Sequence, residues 1–293
     1  IYERFLPHIN NNYDFAEMMS ELLGELNASH TGMRYSGRGG AMPTASLGVF
    51  FDDEYDGDGL KIKEIPAKSP LAVIKTKVTL GCIIEAIDGQ EIKAGADYYP
   101  LLEGKAGRKI RLTVYDPDTK KRFEETIRGL NAEAWNGVLY NRWVERNRAE
   151  VERLSGGRLG YVHIQGMNSE SFRKAYSDIL GRYRHKEAIV VDSRYNGGGW
   201  LHEDLIILLS GREYQRFVAQ GQYIGSDPFN QWTKPSCMLV CEDNYSNAHG
   251  TPQLYQALKI GKLVGAPVPG TMTAVWWENQ IDPSLVFGIP QVG

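Results

Sequence analysis

The second half of the chain alternates short apolar runs with amphipathic stretches, and this pattern constrains the fold more than any other feature of the sequence. Short apolar runs bounded by turns are typical of buried strands, and the stretches between them are long enough to form crossover helices. The alternation predicts an α/β layer with a parallel sheet. The predicted strands and helices lie at residues 161–164, 171–180, 188–191, 201–209, 238–240 and 251–258.

One apolar run, residues 237–241, leads into a polar turn that carries Ser246, and the helical pattern 251–258 follows. A serine at a strand-to-helix turn exposes its hydroxyl, and the N–H groups of the first helical turn lack internal acceptors. Such a turn can present a nucleophile beside an oxyanion hole. Serine and asparagine are also the ordinary N-cap residues, so the same pattern is compatible with a simple helix cap.

A second apolar run, residues 188–191, leads into a turn that contains Gly197, Gly198 and Gly199. Glycine permits a positive φ and close backbone approach, so that bare N–H groups can point at a bound oxyanion. In a parallel sheet both turns would lie at the same carboxyl edge, where the sites of α/β proteins form. No lysine follows the glycines, which makes a phosphate-binding loop a poor interpretation.

The composition is that of an ordinary globular protein, with 42% hydrophobic and 24% charged residues among 293. A net charge of −3 without basic blocks argues against nucleic acid or an anionic membrane as the main partner. No apolar segment is long enough to span a bilayer, and residues 1–4 are not a signal peptide. Because the sequence does not begin with Met, we expect a processed or truncated chain. Cys82, Cys237 and Cys241 are expected to be buried, reduced thiols.

The chain is predicted to have three parts. Apolar residues at helical spacing between Phe15 and Leu26, with Asp14 as N-cap, indicate an amphipathic helix within an N-terminal segment, residues 1–43. Residues 44–130 are predicted to form a β-rich domain, and residues 131–293 a linker helix followed by the α/β core. Strands of the β-rich domain are predicted at residues 47–51, 60–65, 82–87, 110–115 and 122–127.

Two motifs resemble those of a clan of serine peptidases, the clan of the carboxyl-terminal processing proteases and the tricorn proteases. Residues 192–199, Asp-Ser-Arg-Tyr-Asn-Gly-Gly-Gly, are similar to its Asp-x-Arg-x-Asn-x-Gly-Gly turn, and residues 244–250 resemble its serine turn. The middle region resembles a PDZ domain: residues 46–49, Ser-Leu-Gly-Val, its peptide-carboxylate loop, and residues 81–89 a second conserved segment, with Cys82 departing from the usual acidic residue. The resemblance implies a ClpP/crotonase-like layered sheet in the core.

The general base distinguishes the two branches of this clan. Processing proteases use a lysine well beyond the serine, but here only Lys259 and Lys262 follow Ser246, and residues 271–274 contain none. Residues 24–30, Gly-Glu-Leu-Asn-Ala-Ser-His, match the Gly-Glu-Leu-x-x-Ser-His segment of tricorn proteases. The resemblance therefore implies Ser246 as nucleophile and His30 as general base.

Further roles follow from the same resemblance. Ser29 is implied to act on the histidine through a glutamate that lies past the serine. The segment that carries this glutamate in the family is missing here, so we expect the glutamate beyond Gly293. Glu278 is a weak candidate for the same role. His249 is the competing candidate for the base.

The oxyanion donors are implied to be the N–H of Asn247, where tricorn proteases carry aspartate, and that of Gly198 or Gly199. Asp192 and Arg194 are expected to brace the glycine turn by a salt bridge. His163 and His202 are expected to be a strand residue and a helix-start residue. The predicted peptide-binding residues of the PDZ-like loop are Leu47, Gly48 and Val49.

The sequence thus predicts a serine-type endopeptidase or oligopeptidase that forms an acyl-enzyme on Ser246, acts on peptides or polypeptides and needs no cofactor or metal. The resemblance implies a homo-oligomer in the full-length protein, either cytoplasmic or in the bacterial periplasm. The alternative is a PDZ-type peptide-binding module with an impaired core, which the missing glutamate and Asn247 motivate. An α/β-hydrolase esterase is disfavoured, because the turn at Ser246 lacks the first glycine of Gly-x-Ser-x-Gly.

Overall fold

The computed structural model describes residues 1–37 and 43–292. The chain divides into two compact units, one of Ile1–Arg38 with Asn147–Gly293 and one of Gly39–Arg146. The predicted boundaries after residues 43 and 130 remain predictions, because the helix Ala132–Leu154 contributes residues to both units.

The N-terminal segment contains a short 3-10 helix, Tyr2–His8, the helix α1, Asn12–Gly24, and the strand β1, Gly32–Tyr35. The prediction of Asp14 as N-cap is wrong. Asn11 is the N-cap, since its side chain accepts the Asp14 N–H at 2.9 Å and so satisfies an amide of the first turn.

The second unit is built on an antiparallel sheet. Its strands are β2, Phe50–Phe51, β3, Leu60–Glu64, β4, Ile83–Ile87, β5, Gln90–Glu91, β6, Lys109–Asp116, and β7, Lys121–Arg128. Their order is β2-β3-β4-β6-β7, with β5 paired to β4. A short helix α2, Pro70–Val73, precedes β4, and the helix α3, Ala132–Leu154, follows β7. Alternate residues of β6 point into the core, as the half-buried pattern of this strand predicts.

The first unit is centred on a four-stranded sheet in which every neighbouring pair is parallel. Its strands are β8, Leu159–His163, β9, Ala188–Asp192, β12, Ser236–Val240, and β13, Lys262–Gly265, in the order β13-β12-β9-β8. The helices between them are α4, Ser169–Ser177, with a π-helical turn, Asp178–Arg182, then α5, His202–Leu209, and α6, Asn247–Ala257. The predicted parallel sheet is therefore confirmed.

Two further β structures in this unit were absent from the sequence prediction. The strands β10, Gln215–Ala219, and β11, Gln222–Asp227, form an isolated hairpin. The strands β14, Ala274–Asn279, and β15, Leu285–Val292, form an antiparallel sheet with β1, in the order β1-β15-β14. Gly32 pairs with Gly288 in this sheet, and a small core of Ala16, Met33 and Leu285 joins it to α1. This pairing holds the segment that contains Ser29 and His30 against the end of the chain.

None of the described helices is both long and apolar enough to cross a membrane.

Candidate active site

Ser246 lies between the end of β12 and the first residue of α6, in a strained backbone conformation with φ 55° and ψ −124°. A side-chain-bearing residue in this region costs about 1–3 kcal/mol and persists only where its surroundings enforce it. Here Asn244 enforces the turn, since its Nδ2 donates to the Ser193 carbonyl at 2.9 Å and its Oδ1 accepts the Cys241 N–H at 3.0 Å. The Ser246 side chain makes no cap hydrogen bond. The geometry therefore favours a presented hydroxyl over the simple helix cap.

The glycine turn touches the serine turn directly. A β-carbon on Gly198, whose φ is 98°, would lie 2.7 Å from the Ser246 β-carbon and 2.8 Å from the Tyr245 carbonyl oxygen, so only glycine permits this approach. The fully buried Asn196 ties the turn in place. Its Nδ2 donates to the Ile164 carbonyl at 2.8 Å, and its own carbonyl accepts the Tyr245 N–H at 3.0 Å.

Of the predicted oxyanion donors, Gly198 already has a partner, because its N–H donates to Asn196 Oδ1 at 2.9 Å. The N–H groups of Gly199 and Asn247 have no hydrogen-bond partner among the described residues. These two amides, one in each turn, are the ones that remain free to receive an oxyanion in this conformation.

His30 lies in the turn between α1 and β1, with φ 64°, and is packed against the residue that precedes the serine. Its N–H donates to Tyr245 Oη at 2.8 Å, and the two ring centroids are 4.7 Å apart. Its Nδ1 lies 2.9 Å from Thr273 Oγ1 and 3.2 Å from Ser29 Oγ. Its Nε2 has no hydrogen-bond partner among the described residues, and none of their hydrogen bonds joins Ser246 to His30.

The environment of His30 favours the neutral ring. Burial, with the nearby charge of Arg34 as a second cause, lowers the pKa of His30 below its ordinary value. A neutral imidazole is the form that can accept a proton near pH 7.

The segment 271–273 contacts both the serine and the histidine, and the sequence analysis missed its role. Thr271 Oγ1 accepts the Ser246 N–H at 3.0 Å, and the Thr271 carbonyl accepts the Ser29 hydroxyl at 3.2 Å. Thr273 Oγ1 lies 2.6 Å from Ser29 Oγ. The sequence offered no local signal for this role, because Ser29 and Thr273 are 244 positions apart.

Several other expectations can now be compared with the geometry. Ser29 reaches His30 Nδ1 directly rather than only through a glutamate. The Nδ1 of His249 accepts the Met272 N–H at 3.2 Å, so this nitrogen already has a partner. Glu278 lies in β14 opposite Phe287.

The expected brace of the glycine turn is confirmed by the ion pair between the fully buried Asp192 and Arg194, at 2.6 Å. His163 and His202 are a strand residue and a helix-start residue, as predicted.

The predicted peptide-binding loop belongs to the second unit. Leu47 and Val49 are buried, and Gly48 has a φ of 76° and donates its N–H to Ser46 Oγ at 3.1 Å. Among the described residues, no group of three or more His, Cys, Asp or Glu side chains could hold a metal ion.

Comparison with known proteins places this geometry in context. Residues 158–291 match the family model of Peptidase family S41, and residues 55–130 match that of the Tricorn protease PDZ domain. The similar proteins include a tricorn protease homolog of Saccharolobus solfataricus, 28% identical over 94% of this chain and 26% of its own length. They also include the tricorn protease of Thermoplasma acidophilum, 25% identical over 99% of this chain and 28% of its own length.

A crystal structure of tricorn protease superposes on 99% of this chain, and on 29% of that chain, with a TM-score of 0.85 and 23% sequence identity. This likeness establishes the fold, and the predicted fold class of a mixed α/β protein with a PDZ-like domain is confirmed. The chain spans less than a third of the length of these relatives. Residues 55–130 are thus similar to a PDZ domain of the tricorn type and residues 158–291 to a peptidase domain of family S41, in the order that the sequence predicts.

Proposed function

We propose that this chain is the PDZ and catalytic portion of a serine peptidase that hydrolyses peptide bonds through an acyl-enzyme on Ser246, with His30 as general base. One observation carries the proposal: the segment 271–273 bonds to both His30 and the strained, uncapped Ser246, in the unit that also contains the free amides of Gly199 and Asn247. The relatives named above as tricorn proteases support the coarser part of the proposal, the hydrolysis of peptide bonds.

The hydrogen bonds around His30 suit the role of a base. Nδ1–H can donate to Thr273 Oγ1, the Thr273 hydroxyl to Ser29 Oγ, and the Ser29 hydroxyl to the Thr271 carbonyl. In this arrangement every hydroxyl donates once, and the lone pair of the neutral ring lies on Nε2. Nε2 is therefore the atom that would take the proton from the Ser246 hydroxyl. The hydrogen bond between them would form on substrate binding, since such bonds are often long or unformed in free enzymes.

The proposed reaction then proceeds in two halves. Ser246 Oγ bonds to the carbonyl carbon of the substrate as its proton passes to His30 Nε2. The resulting oxyanion accepts hydrogen bonds from the N–H groups of Asn247 and Gly199. The intermediate collapses when His30 returns the proton to the leaving amine, which leaves an ester on Ser246. Water, deprotonated by the same histidine, hydrolyses that ester and restores the serine.

We also propose that the loop of Leu47, Gly48 and Val49 binds peptide ends. Because the side chains of Leu47 and Val49 are buried, recognition would use the backbone of the loop. The Gly48 N–H would become available to a carboxylate once the Ser46 hydroxyl turns away from it.

A second candidate is a peptide-binding protein with an impaired catalytic core. The observation in its favour is that the hydrogen bonds from His30 Nδ1 lead to hydroxyls and a carbonyl, with no carboxylate among the described partners. Such a protein would bind peptides in calorimetry without cleaving them.

Labelling with a fluorophosphonate probe, located by mass spectrometry, tests the proposal. We expect modification of Ser246 in the unaltered protein, loss of that modification in Ser246→Ala, and unchanged labelling in the control Ser210→Ala, an exposed serine at the end of α5. The Ser246→Ala change should lower peptide turnover by several powers of ten. Undiminished labelling or turnover in Ser246→Ala would refute the assignment.

A further inference from the structure

The side chain of Asn247 connects the two turns of the candidate site. It is 2% exposed and belongs to the first residue of α6. Its Oδ1 accepts the backbone N–H of Leu201 at 2.9 Å and that of His202 at 3.1 Å. Both donors belong to the start of α5, so one carboxamide links the start of α5 to the start of α6.

The two backbone donors also fix which way the carboxamide points. An exchange of its oxygen and nitrogen would place the NH₂ group against the two backbone N–H groups, and these three donor groups would then lack an acceptor. The Nδ2 therefore faces His202 Nδ1, at 2.6 Å. Because Nδ2 can only donate, Nδ1 must accept, and the His202 ring must be neutral with its proton on Nε2.

This link lies between the two proposed oxyanion donors. The glycine turn leads through Trp200 into α5, and the serine turn leads directly into α6. Gly199 lies two residues before Leu201, the first residue that the carboxamide holds at α5. The other proposed oxyanion donor is the backbone N–H of Asn247 itself, at the start of α6. The distance between these two amides consequently depends on the carboxamide that holds the two helix starts together.

We propose that the Asn247 side chain is a positioning residue that sets the spacing of the two oxyanion amides and holds the His202 proton on Nε2. The first part rests on the proposed peptidase function, and the second does not. An aspartate at this position could accept both backbone N–H groups, but its second oxygen would require a proton on His202 Nδ1. Asparagine and the Nε2–H form of His202 are therefore matched in this chain.

Nitrogen-15 NMR of histidine-labelled protein tests the second part without any need for turnover. The chain contains six histidines, and His202→Gln identifies the His202 signals by their loss. We expect an unprotonated Nδ1 and a protonated Nε2 in the unaltered protein, and a protonated Nδ1 in Asn247→Asp. A protonated Nδ1 in the unaltered protein, or no change on substitution by aspartate, would overturn the proposal.

Steady-state kinetics on a peptide test the first part. Asn247→Ala should lower kcat about 100-fold with KM changed by less than about threefold, since misplacing an oxyanion donor weakens transition-state binding above all. Asn247→Asp keeps a side-chain oxygen that can accept both backbone N–H groups, and it should recover most of this loss. The control is Asn168→Ala, which removes an exposed carboxamide that accepts the Ser171 N–H at the start of α4.

The kinetic proposal fails if Asn247→Ala lowers kcat no more than Asn168→Ala does, or if the loss appears in KM. If Asn247→Ala does not fold, Asn247→Asp is compared with the unaltered protein instead. The aspartate oxygen should take over the role of the asparagine oxygen, so a loss of kcat beyond about tenfold in Asn247→Asp would contradict the proposal. If no peptide is cleaved by the unaltered protein, the peptidase proposal fails, while the NMR result still decides the proton position.

Discussion

The proposed base is tuned by its surroundings at the scale of single atoms. His30 has a lowered pKa because burial disfavours its charged form, and Arg34 adds repulsion. The hydroxyls of Ser29 and Thr273 lie on the Nδ1 side of the ring. A neutral histidine with a free Nε2 is ready to accept a proton without first losing one.

The first prediction concerns pH. If His30 must be neutral, kcat/KM should fall on acidification with a midpoint below the ordinary histidine value of about 6.5. Replacement of the second cause, by Arg34→Gln, should move this midpoint to higher pH. Stability should change in the same direction. Because the pKa of His30 is lower in the folded protein than in the unfolded chain, its titration should not change the free energy of unfolding above about pH 6.5 and should lower it below that pH. A midpoint at or above the ordinary value in the peptide assay would contradict this prediction.

Single residues differ in how far the sequence could identify them. Ser246, Ser29 and His30 could be singled out because each lies in a short segment that resembles a motif of the peptidase clan. Thr273 could not, because its contact with His30 depends on strands that pair across the whole chain. The same limit applies on a smaller scale to the cap of α1, where Asn11 and Asp14 are both good cap residues and only the observed hydrogen bond decides between them.

At the scale of elements, the site depends on the close approach of two turns. The glycine turn follows β9 and the serine turn follows β12, two neighbouring parallel strands. Both strands could be predicted, because short apolar runs bounded by polar turns are a local signal. The β1-β15-β14 sheet could not, because the pairing partner of β1 lies at the other end of the sequence and no local periodicity encodes it.

The second prediction tests the contact between these turns. Gly198→Ala would place a β-carbon 2.7 Å from that of Ser246 at a φ of 98°, so the turns must separate. We expect at least a 100-fold slower reaction with the fluorophosphonate and a loss of about 1–3 kcal/mol in the free energy of unfolding. Urea unfolding and labelling rates provide the measurements. The control Gly181→Ala meets no heavy atom within 4 Å and should leave both quantities unchanged, so equal effects of the two substitutions would argue against the model of touching turns.

At the scale of the whole molecule, the two ends of the described chain complete one site. Gly32 pairs with Gly288, and a small core that includes Leu285 joins α1 to β15. The parallel sheet has its own, larger core, which contains residues such as Val191 and Met238. The position of His30 therefore depends on a cluster separate from the one that supports the serine. The predicted homo-oligomer and the compartment of the full-length protein remain predictions.

The third prediction separates these two cores. Leu285→Ala should remove about 2–4 kcal/mol of local stability, because the small cluster can collapse only partly around the cavity. We expect faster hydrogen exchange in residues 28–36 and a lower kcat/KM, while the amides of β9 and β12 keep their protection. The control is Leu258→Ala, an exposed leucine at the end of α6. Equal loss of protection in β9 and β12 would mean that the two cores unfold as one.

The pairing of β1 with β15 has a consequence for the synthesis of the protein. The ribosome synthesises His30 early, Ser246 much later, and β15 last of the described strands. Until β15 is made, the proposed nucleophile and its proposed base lack the strand that anchors the histidine segment. If the proposed function holds, the peptidase would stay inert during synthesis at least until β15 is in place, and it would not cleave its own nascent chain before then.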